Sequence, residues 1–295
     1  MEHPSRDSIR QFYFFIGRTT PPHFGHIHVL RQTIELARAN GTCALILLGN
    51  GPGGVRTNEN PVEHETKAAF LTHKLRQLHY VEGTDFIIQM MQNPPNRQIV
   101  EFVRTRIPEN VSQISIFQVA GNKDDDVHKH DFVRTTTCKT LQQMYNEQEK
   151  MFNCGFVAID PATGGTAELG PAMSATKVRN KAVECYEQSG DNLDAAFRLW
   201  LEAFPFYSGD ADTERLSKEI FEQIIRYKDT KTFTHASISK TKKRPQADEG
   251  GLSYVTSRTS KKEPGQGGSR RKCTRRRRAS KLRNKKTLRN IRRRR

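Results

Sequence analysis

The sequence predicts an α/β protein in which a doubly wound parallel sheet is followed by C-terminal helices and a disordered basic tail. Short apolar runs alternate with helical stripes over most of the chain, and the composition changes to Lys, Arg, Ser, Thr and Gly near residue 228. Strands separated by helices are typical of parallel sheets, whose ligands bind at the carboxyl ends of the strands. We therefore expect a folded domain over residues 1–228 and a disordered tail over residues 229–295.

Apolar periodicity predicts the individual elements. The runs short enough for buried strands cover residues 12–16, 43–48, 86–90, 114–120 and 156–159. The stripes with helical spacing cover residues 27–37, 68–78, 98–106, 137–150, 175–188, 193–204 and 213–227. The first helix should end at Asn40 and Gly41, a common C-cap pair. The glycine-rich loop over residues 49–61 is long enough to be functional or mobile.

Charge is divided unevenly along the chain. The 295 residues include 49 Lys and Arg against 32 Asp and Glu, a formal net charge of +17. Residues 240–295 contribute 23 of the basic and 3 of the acidic residues, so this tail carries +20 and the body carries −3. Dense cationic blocks suit contact with phosphate backbones. We expect non-specific binding of nucleic acid by the tail; a solvated tail that binds any polyanion weakly is an equal alternative.

The sequence argues against a membrane or secreted protein. No apolar run approaches 18 residues, and residues 1–10 lack the apolar stretch of a signal peptide. The cysteines are odd in number and form no C-x-x-C pair: Cys43, Cys138, Cys154, Cys185 and Cys273. We therefore expect reduced cysteines, no structural zinc and an intracellular location, either cytoplasmic or nuclear. The sequence leaves the oligomeric state open.

The segment between the first predicted strand and helix, GRTTPPHFGH over residues 17–26, has the features of a phosphate site. Gly17 ends the strand, two prolines fix the turn, and Gly25 allows backbone to approach a ligand at the helix start. His23 and His26 are three residues apart and can both point into that pocket. A helix N-terminus favours anions. Surface histidines or half of a metal site are the alternative interpretations of the histidine pair alone.

A second segment, PAMSATKVR over residues 171–179, opens the helix after the last predicted strand. Ser174 is a candidate N-cap, and Thr176, Lys177 and Arg179 place a hydroxyl and two cations at the positive end of that helix. An ordinary capped amphipathic helix is the alternative interpretation. Together the two segments predict a phosphate site at each of two helix N-termini.

These segments resemble the motifs of the nucleotidylyltransferase superfamily. Their forms, G-R-x-x-P-x-H-x-G-H and S-x-T-x-x-R, are similar to the H-x-G-H and I-S-S-T-x-x-R motifs that flank a Rossmann-like core in that superfamily. Arg18 makes the first segment most similar to nicotinamide-mononucleotide adenylyltransferases. Asn60-Pro61 resembles their N-P-F-x-x-x-E-R segment, although Thr66 and Lys67 stand at its Glu and Arg positions. Gly121-Asn122 resembles a G-N pair that follows a later strand.

The resemblance implies transfer of AMP from ATP to a phosphorylated small-molecule acceptor, with nicotinamide mononucleotide giving NAD and pyrophosphate leaving. It implies catalytic roles for His23, His26 and Arg18. The residues implied to bind ATP phosphates are Gly17, Gly25, Ser174, Thr176, Lys177 and Arg179. The implied substrate-binding residues are Asn60, Gly121, Asn122 and Lys123. Mg²⁺ is expected on the triphosphate, held chiefly by phosphate and water.

Other functions remain open from the sequence. The motifs bind a triphosphate rather than recognise the acceptor, so a cytidylyltransferase or a phosphopantetheine adenylyltransferase is also compatible with them. From a different class, an inactive nucleotide-binding fold could serve only to present the basic tail to nucleic acid. Retention of His23, His26 and Arg179 favours the enzyme, because a fold kept for display does not need them.

The division of charge predicts that the body and the tail act independently. A chain truncated after Lys228 should keep its steady-state constants but lose nucleic-acid binding, because a body that carries −3 repels the phosphate backbone. Binding of duplex DNA by the full-length protein should weaken with salt, with a slope of about 0.9 in log K per neutralised phosphate. Mobility-shift titrations at several salt concentrations measure both effects. Binding that survives truncation would contradict this division.

Overall fold

In the part of the chain that the computed structural model describes, five parallel strands form one sheet. Those strands are β1 (Ile9–Gly17), β2 (Ala44–Leu48), β3 (Phe86–Met90), β4 (Gln113–Gly121) and β5 (Met151–Ile159). Their order across the sheet is β3-β2-β1-β4-β5, and all neighbours are parallel. The described residues are 9–50, 54–92, 94–121, 127–145, 150–159 and 173–231, with side chains at 127–134 excepted.

The same ranges contain seven α-helices. They are α1 (Phe24–Ala39), α2 (His64–Gln77), α3 (Asn96–Arg104), α4 (Val127–Met144), α5 (Ala175–Gln188), α6 (Leu193–Ala203) and α7 (Ala211–Arg226). One face of the sheet packs against α1 and α2 through residues such as Leu30 and Leu71. The other face packs against α3 and α4 through Val103 and Leu141. The Rossmann-like α/β class and the doubly wound parallel sheet are therefore confirmed.

Some boundaries differ from the sequence prediction. β5 begins at Met151 rather than at residue 156, because it is an edge strand whose half-exposed side chains give a weak apolar signal. The helix predicted over residues 137–150 lies earlier, at Val127–Met144. Leu78 was expected on the buried stripe of α2 but is 41% exposed, since the helix ends at Gln77.

The cysteines also differ from expectation. Cys138 on α4 and Cys154 on β5 form a disulfide, with their Cα atoms 5.9 Å apart. The prediction of fully reduced cysteines is wrong for this pair, because α4 packs beside β5 and brings together two positions that showed no sequence motif. Cys43 and Cys185 are free and buried, and Cys273 lies outside the described residues. Each described helix is too short or too polar to cross a membrane.

The C-terminal helices form a third core beside the sheet. Trp200 is fully buried there; it stacks on Tyr207 with ring centroids 4.3 Å apart, and its Nε1 donates to the carbonyl oxygen of Val178 at 3.3 Å. Val62, from the loop before α2, belongs to the same core. The Tyr207 hydroxyl donates to the carbonyl oxygen of Pro22, between β1 and α1. These helices therefore fix two loops at the carboxyl end of the sheet.

The last helix also completes the start of α2. Glu63, the N-cap of α2, makes no side-chain cap bond, and its backbone N–H instead donates to Oε1 of Gln223 on α7 at 2.7 Å. Just beyond α7, the carbonyl oxygen of Thr230 accepts from the backbone N–H of Asn58 at 2.8 Å. A chain truncated after Lys228 would lose this bond, whereas one that ends at Lys231 would keep it. The chain divides into two units, residues 1–242 and 243–295, and every described residue belongs to the first.

The packing predicts that Trp200→Ala lowers the free energy of unfolding by about 3–5 kcal/mol, the usual cost of truncating a large aromatic in a core. The neighbouring Leu199, 39% exposed, supplies a matched control. Leu199→Ala should change stability by about 0.5 kcal/mol or less, as is usual for surface positions. Urea unfolding followed by far-ultraviolet circular dichroism measures both, since Trp200 is the only tryptophan. Equal stability of the two variants would contradict the buried packing.

Candidate functional site

The two predicted phosphate segments meet at the carboxyl end of the sheet. The strand order reverses between β1 and β4, and the pairing of Phe15 with Val119 brings the ends of these strands, Gly17 and Gly121, to one level. Ligands of doubly wound sheets bind in the crevice at such a reversal. α1 begins beside this crevice, with His23 as its N-cap.

His23 and His26 form a capping box at the start of α1. Nδ1 of His23 accepts from the backbone N–H of Gly25 at 3.1 Å, and Nδ1 of His26 accepts from the backbone N–H of His23 at 3.2 Å. A ring nitrogen that accepts such a bond carries no proton, so each neutral ring carries its proton on Nε2. The ring centroids lie 3.8 Å apart. The backbone thus fixes both the orientation and the tautomer of the pair.

Gly25 packs closely against the His23 ring. A Cβ atom at position 25 would lie 3.1 Å from Cε1 and 3.2 Å from Nδ1 of His23. These separations are tighter than ordinary van der Waals contact, so a side chain here would require the ring to move by a few tenths of an ångström. The structure gives Gly25 this packing role. Its predicted role in backbone approach to a ligand stays a prediction.

The loop between β1 and α1 is buried and holds polar atoms without partners. Thr19 and Thr20 are buried, and neither hydroxyl has a hydrogen-bond partner in the described part of the chain. Buried polar groups are nearly always paired in proteins. These hydroxyls are therefore candidate ligand contacts that the sequence analysis missed. Threonine beside proline in a turn is too common to have signalled them.

Arg179 joins the second segment to the first. Its Nη1 donates to the carbonyl oxygen of Thr20 at 2.6 Å, and its Nη2 donates to Oγ1 of Thr176 at 3.3 Å. Burial lowers the pKa of Arg179; the charge of Arg18 adds to this shift and Glu59 opposes it. A partly desolvated guanidinium beside a helix N-terminus favours an anionic ligand.

Ser174 caps α5, as the sequence predicts. Its Oγ accepts from the backbone N–H of Lys177 at 3.3 Å, and its backbone is extended, as an N-cap requires. The side chains of Thr176 and Lys177 are exposed in the first turn of this helix. The first turn of α5 therefore carries a hydroxyl that contacts Arg179 and an exposed lysine.

A buried lysine that the sequence did not mark as a site residue contacts the start of the loop between β1 and α1. Lys67 is 0% exposed, and its Nζ donates to the carbonyl oxygens of Gly49 at 2.7 Å and Arg18 at 3.0 Å. Burial, followed by the charges of Arg56 and Arg18, lowers the pKa of Lys67 to about 7 against the opposing effect of Glu65. This side chain connects the ends of β1 and β2.

The implied substrate-binding residues are only partly described. Asn60 is buried, its Nδ2 donates to the carbonyl oxygen of Asn50, and its Oδ1 has no partner among the described residues. Gly121 ends β4 beside the crevice. Asn122 and Lys123 lie outside the described residues. Hydrogen bonds thus join His23 to Gly25 and His26, and Arg179 to Thr20 and Thr176, around the loop that carries Arg18.

No protein-family model matches the chain, and no curated protein matches it in sequence. Among solved structures, the chain is similar to Thermotoga maritima TmcAL, whose crystal structure is bound with alpha-thio ATP. The identity is 10%, the match covers 78% of this chain and 72% of that chain, and the TM-score is 0.31. A likeness at this TM-score is too distant to support an inference about the present site.

Proposed function

We propose that the protein transfers AMP from ATP to a phosphorylated acceptor, with nicotinamide mononucleotide as the acceptor and NAD as the product. The observation that carries this proposal is the bond from Arg179 to the carbonyl oxygen of Thr20. It joins in one crevice the two segments that resemble triphosphate-binding motifs. A phosphate site at each of two neighbouring helix N-termini suits a ligand with several phosphoryl groups.

The proposed reaction needs stabilisation of charge rather than a general base. The second pKa of a phosphate monoester is about 6, so the acceptor phosphate is already ionised at neutral pH. One of its oxygens attacks the α-phosphorus of ATP in line; the new P–O bond forms as the bond to pyrophosphate breaks, and pyrophosphate leaves with the electron pair. Catalysis then consists of bringing two anions together and stabilising the charge that develops on the transferred phosphoryl group.

The histidine pair fits the stabilising role. With both Nδ1 atoms engaged as acceptors, Nε2 of His23 and Nε2 of His26 are the ring positions that can donate to phosphoryl oxygens. Donors fixed in advance stabilise a transition state without reorganising. In this proposal Arg18, exposed at the same loop, contacts the triphosphate beside them.

The start of α5 fits the leaving group. Arg179 and the hydroxyl of Thr176 would hold the β- and γ-phosphates, with Lys177 in the same helical turn. The unpartnered hydroxyls of Thr19 and Thr20 would gain partners from the nucleotide. The cationic groups among them, Arg179 and Lys177, bind phosphate oxygens and repel a bare metal ion. We therefore propose that Mg²⁺ would be held chiefly by the triphosphate and water, where it would neutralise the charge of the leaving pyrophosphate.

The assignment of the acceptor predicts that the protein with ATP, nicotinamide mononucleotide and Mg²⁺ forms NAD and pyrophosphate in equal amounts. Chromatography of the nucleotides together with a pyrophosphate assay measures both products. Parallel reactions with CTP, phosphopantetheine or phosphocholine test the other acceptors and nucleotides. Pyrophosphate formed only with one of those would make the acceptor assignment wrong, and none with any pair would overturn the enzymatic function.

His26→Ala should lower kcat by about 10²–10³-fold, the usual loss for one preorganised donor, with little change in ATP affinity. Arg179→Ala should weaken ATP binding as well, because Arg179 would meet charge that the bound substrate already carries. Single-turnover rates and equilibrium binding of ATP separate the two effects.

Loss of the helix cap must be separated from loss of the donor. His26→Gln keeps a side-chain acceptor for the backbone N–H of His23 but removes the imidazole. We expect it to fold like the parent and to lose kcat like His26→Ala. His28→Gln, two residues further along α1, is the matched control and should keep its turnover. Near-normal turnover of both His26 variants would make the role of His26 wrong.

A further inference from the structure

We propose that Lys67 is a positioning residue for the proposed nucleotidyl transfer, because it fixes the backbone at Arg18 and Gly49 and so places the Arg18 guanidinium at the phosphates. This inference rests on the proposed function, which assigns Arg18 to the triphosphate. Lys67 does not touch the reacting atoms in this scheme; it acts through the two strand ends that it connects.

The position of Lys67 explains why a cation is buried there. The β1–β2 ladder continues to the bond from the N–H of Gly49 to the carbonyl oxygen of Gly17, 2.9 Å long. Beyond it the carbonyl oxygens of Arg18 and Gly49 both accept from Nζ of Lys67. Buried backbone carbonyl groups need donors. With Lys67 0% exposed, the lysine rather than bulk solvent supplies them.

The side chain of Arg18 depends on the same two strand ends. A Cβ atom at Gly49 would lie 3.6 Å from Cγ of Arg18, so the arginine side chain leaves its backbone directly against Gly49. A shift of either strand end would therefore carry the guanidinium with it. The ammonium of Lys67 holds both strand ends in one arrangement and so fixes the position of the Arg18 side chain.

The charge of Lys67 adds to its geometric role. The charged neighbours are Arg56 and Arg18, which disfavour a further cation, and Glu65, which favours it; together with burial they lower the pKa of Lys67 to about 7. A neutral amine can still donate to both carbonyl oxygens, so deprotonation removes the charge but keeps the two hydrogen bonds. Binding of a polyanion should favour the charged form. Hence kcat/KM for ATP should fall as the pH rises above about 7.

His64, in the first turn of α2, does not account for this pH dependence. Burial and then the charge of Lys67 lower the pKa of His64 from its ordinary value, with Arg56 adding to the shift and Glu65 opposing it. Its titration therefore lies on the acid side of neutrality. A fall in kcat/KM on the alkaline side therefore belongs to a different group, and Lys67 titrates in that range.

A second buried lysine supplies a matched control. Nζ of Lys150 donates to the carbonyl oxygens of Glu109 and Val111 at 3.0 and 2.6 Å, and the residue is 8% exposed. Lys150 precedes β5 and therefore lies at the amino end of the sheet, opposite the crevice. The two lysines make the same kind of bonds, so a purely structural contribution should be similar for both.

The experiment compares Lys67→Met, Lys67→Arg and Lys150→Met in the full-length protein, with folding checked by circular dichroism. Lys67→Met should lower kcat/KM for ATP by about 100-fold, the cost of a misplacement of ~1 Å in an active site. Lys150→Met should lose stability but keep kcat/KM. Lys67→Arg retains the charge and the donors, so it should recover most of kcat/KM and abolish its decline above pH 7.

Folded Lys67→Met with the kcat/KM of the parent would overturn the inference, as would equal losses in Lys67→Met and Lys150→Met. Should Lys67→Met fail to fold, Lys67→Arg decides: it keeps the charge and the donors, so a folded Lys67→Arg protein with the 100-fold loss of kcat/KM expected for Lys67→Met would overturn the inference. Should the parent bind ATP without transferring AMP, only the proposed function fails, and the same comparisons are made with the dissociation constant of ATP. A parent that does not bind ATP overturns both.

Discussion

The site depends on how one buried loop satisfies its backbone. The loop between β1 and α1 contains two prolines and adopts neither helix nor strand, so its carbonyl oxygens need partners from elsewhere. Three alternate carbonyl groups obtain them from side chains of three other elements: Arg18 from Lys67, Thr20 from Arg179 and Pro22 from Tyr207. Helices far along the chain therefore hold in place the backbone that orients the histidines. The C-terminal helices therefore help to hold the loop of the candidate site in position.

Local sequence features predicted most of the fold. β3 and α5 have the predicted bounds, because a short apolar run and a serine N-cap followed by an apolar stripe are signals contained within a few residues. β5 was predicted too short, since an edge strand is covered on fewer sides and Phe152 lies between the exposed residues Met151 and Asn153, which breaks the apolar run. The Cys138–Cys154 pair could not be predicted, because it depends on how α4 packs against β5.

The residues of the candidate site show the same difference between local and long-range signals. His23, His26 and Ser174 make hydrogen bonds to residues two or three positions away, and the local segments that contain them marked them as candidates. Lys67 acts on carbonyl groups 18 and 49 positions away, which no local pattern specifies. One signal did exist: Lys67 shares a helical face with Leu71 and Leu75, and a lysine on an apolar stripe needs acceptors inside the protein.

The histidine cap ties the start of α1 to two side chains of the candidate site. Because Nδ1 of His23 and Nδ1 of His26 both accept from backbone N–H groups, a substitution that removes either acceptor also takes a hydrogen bond from the start of the helix. The same two rings therefore serve helix initiation and line the crevice. A change made to alter the chemistry of the crevice also alters the end of the helix that borders it.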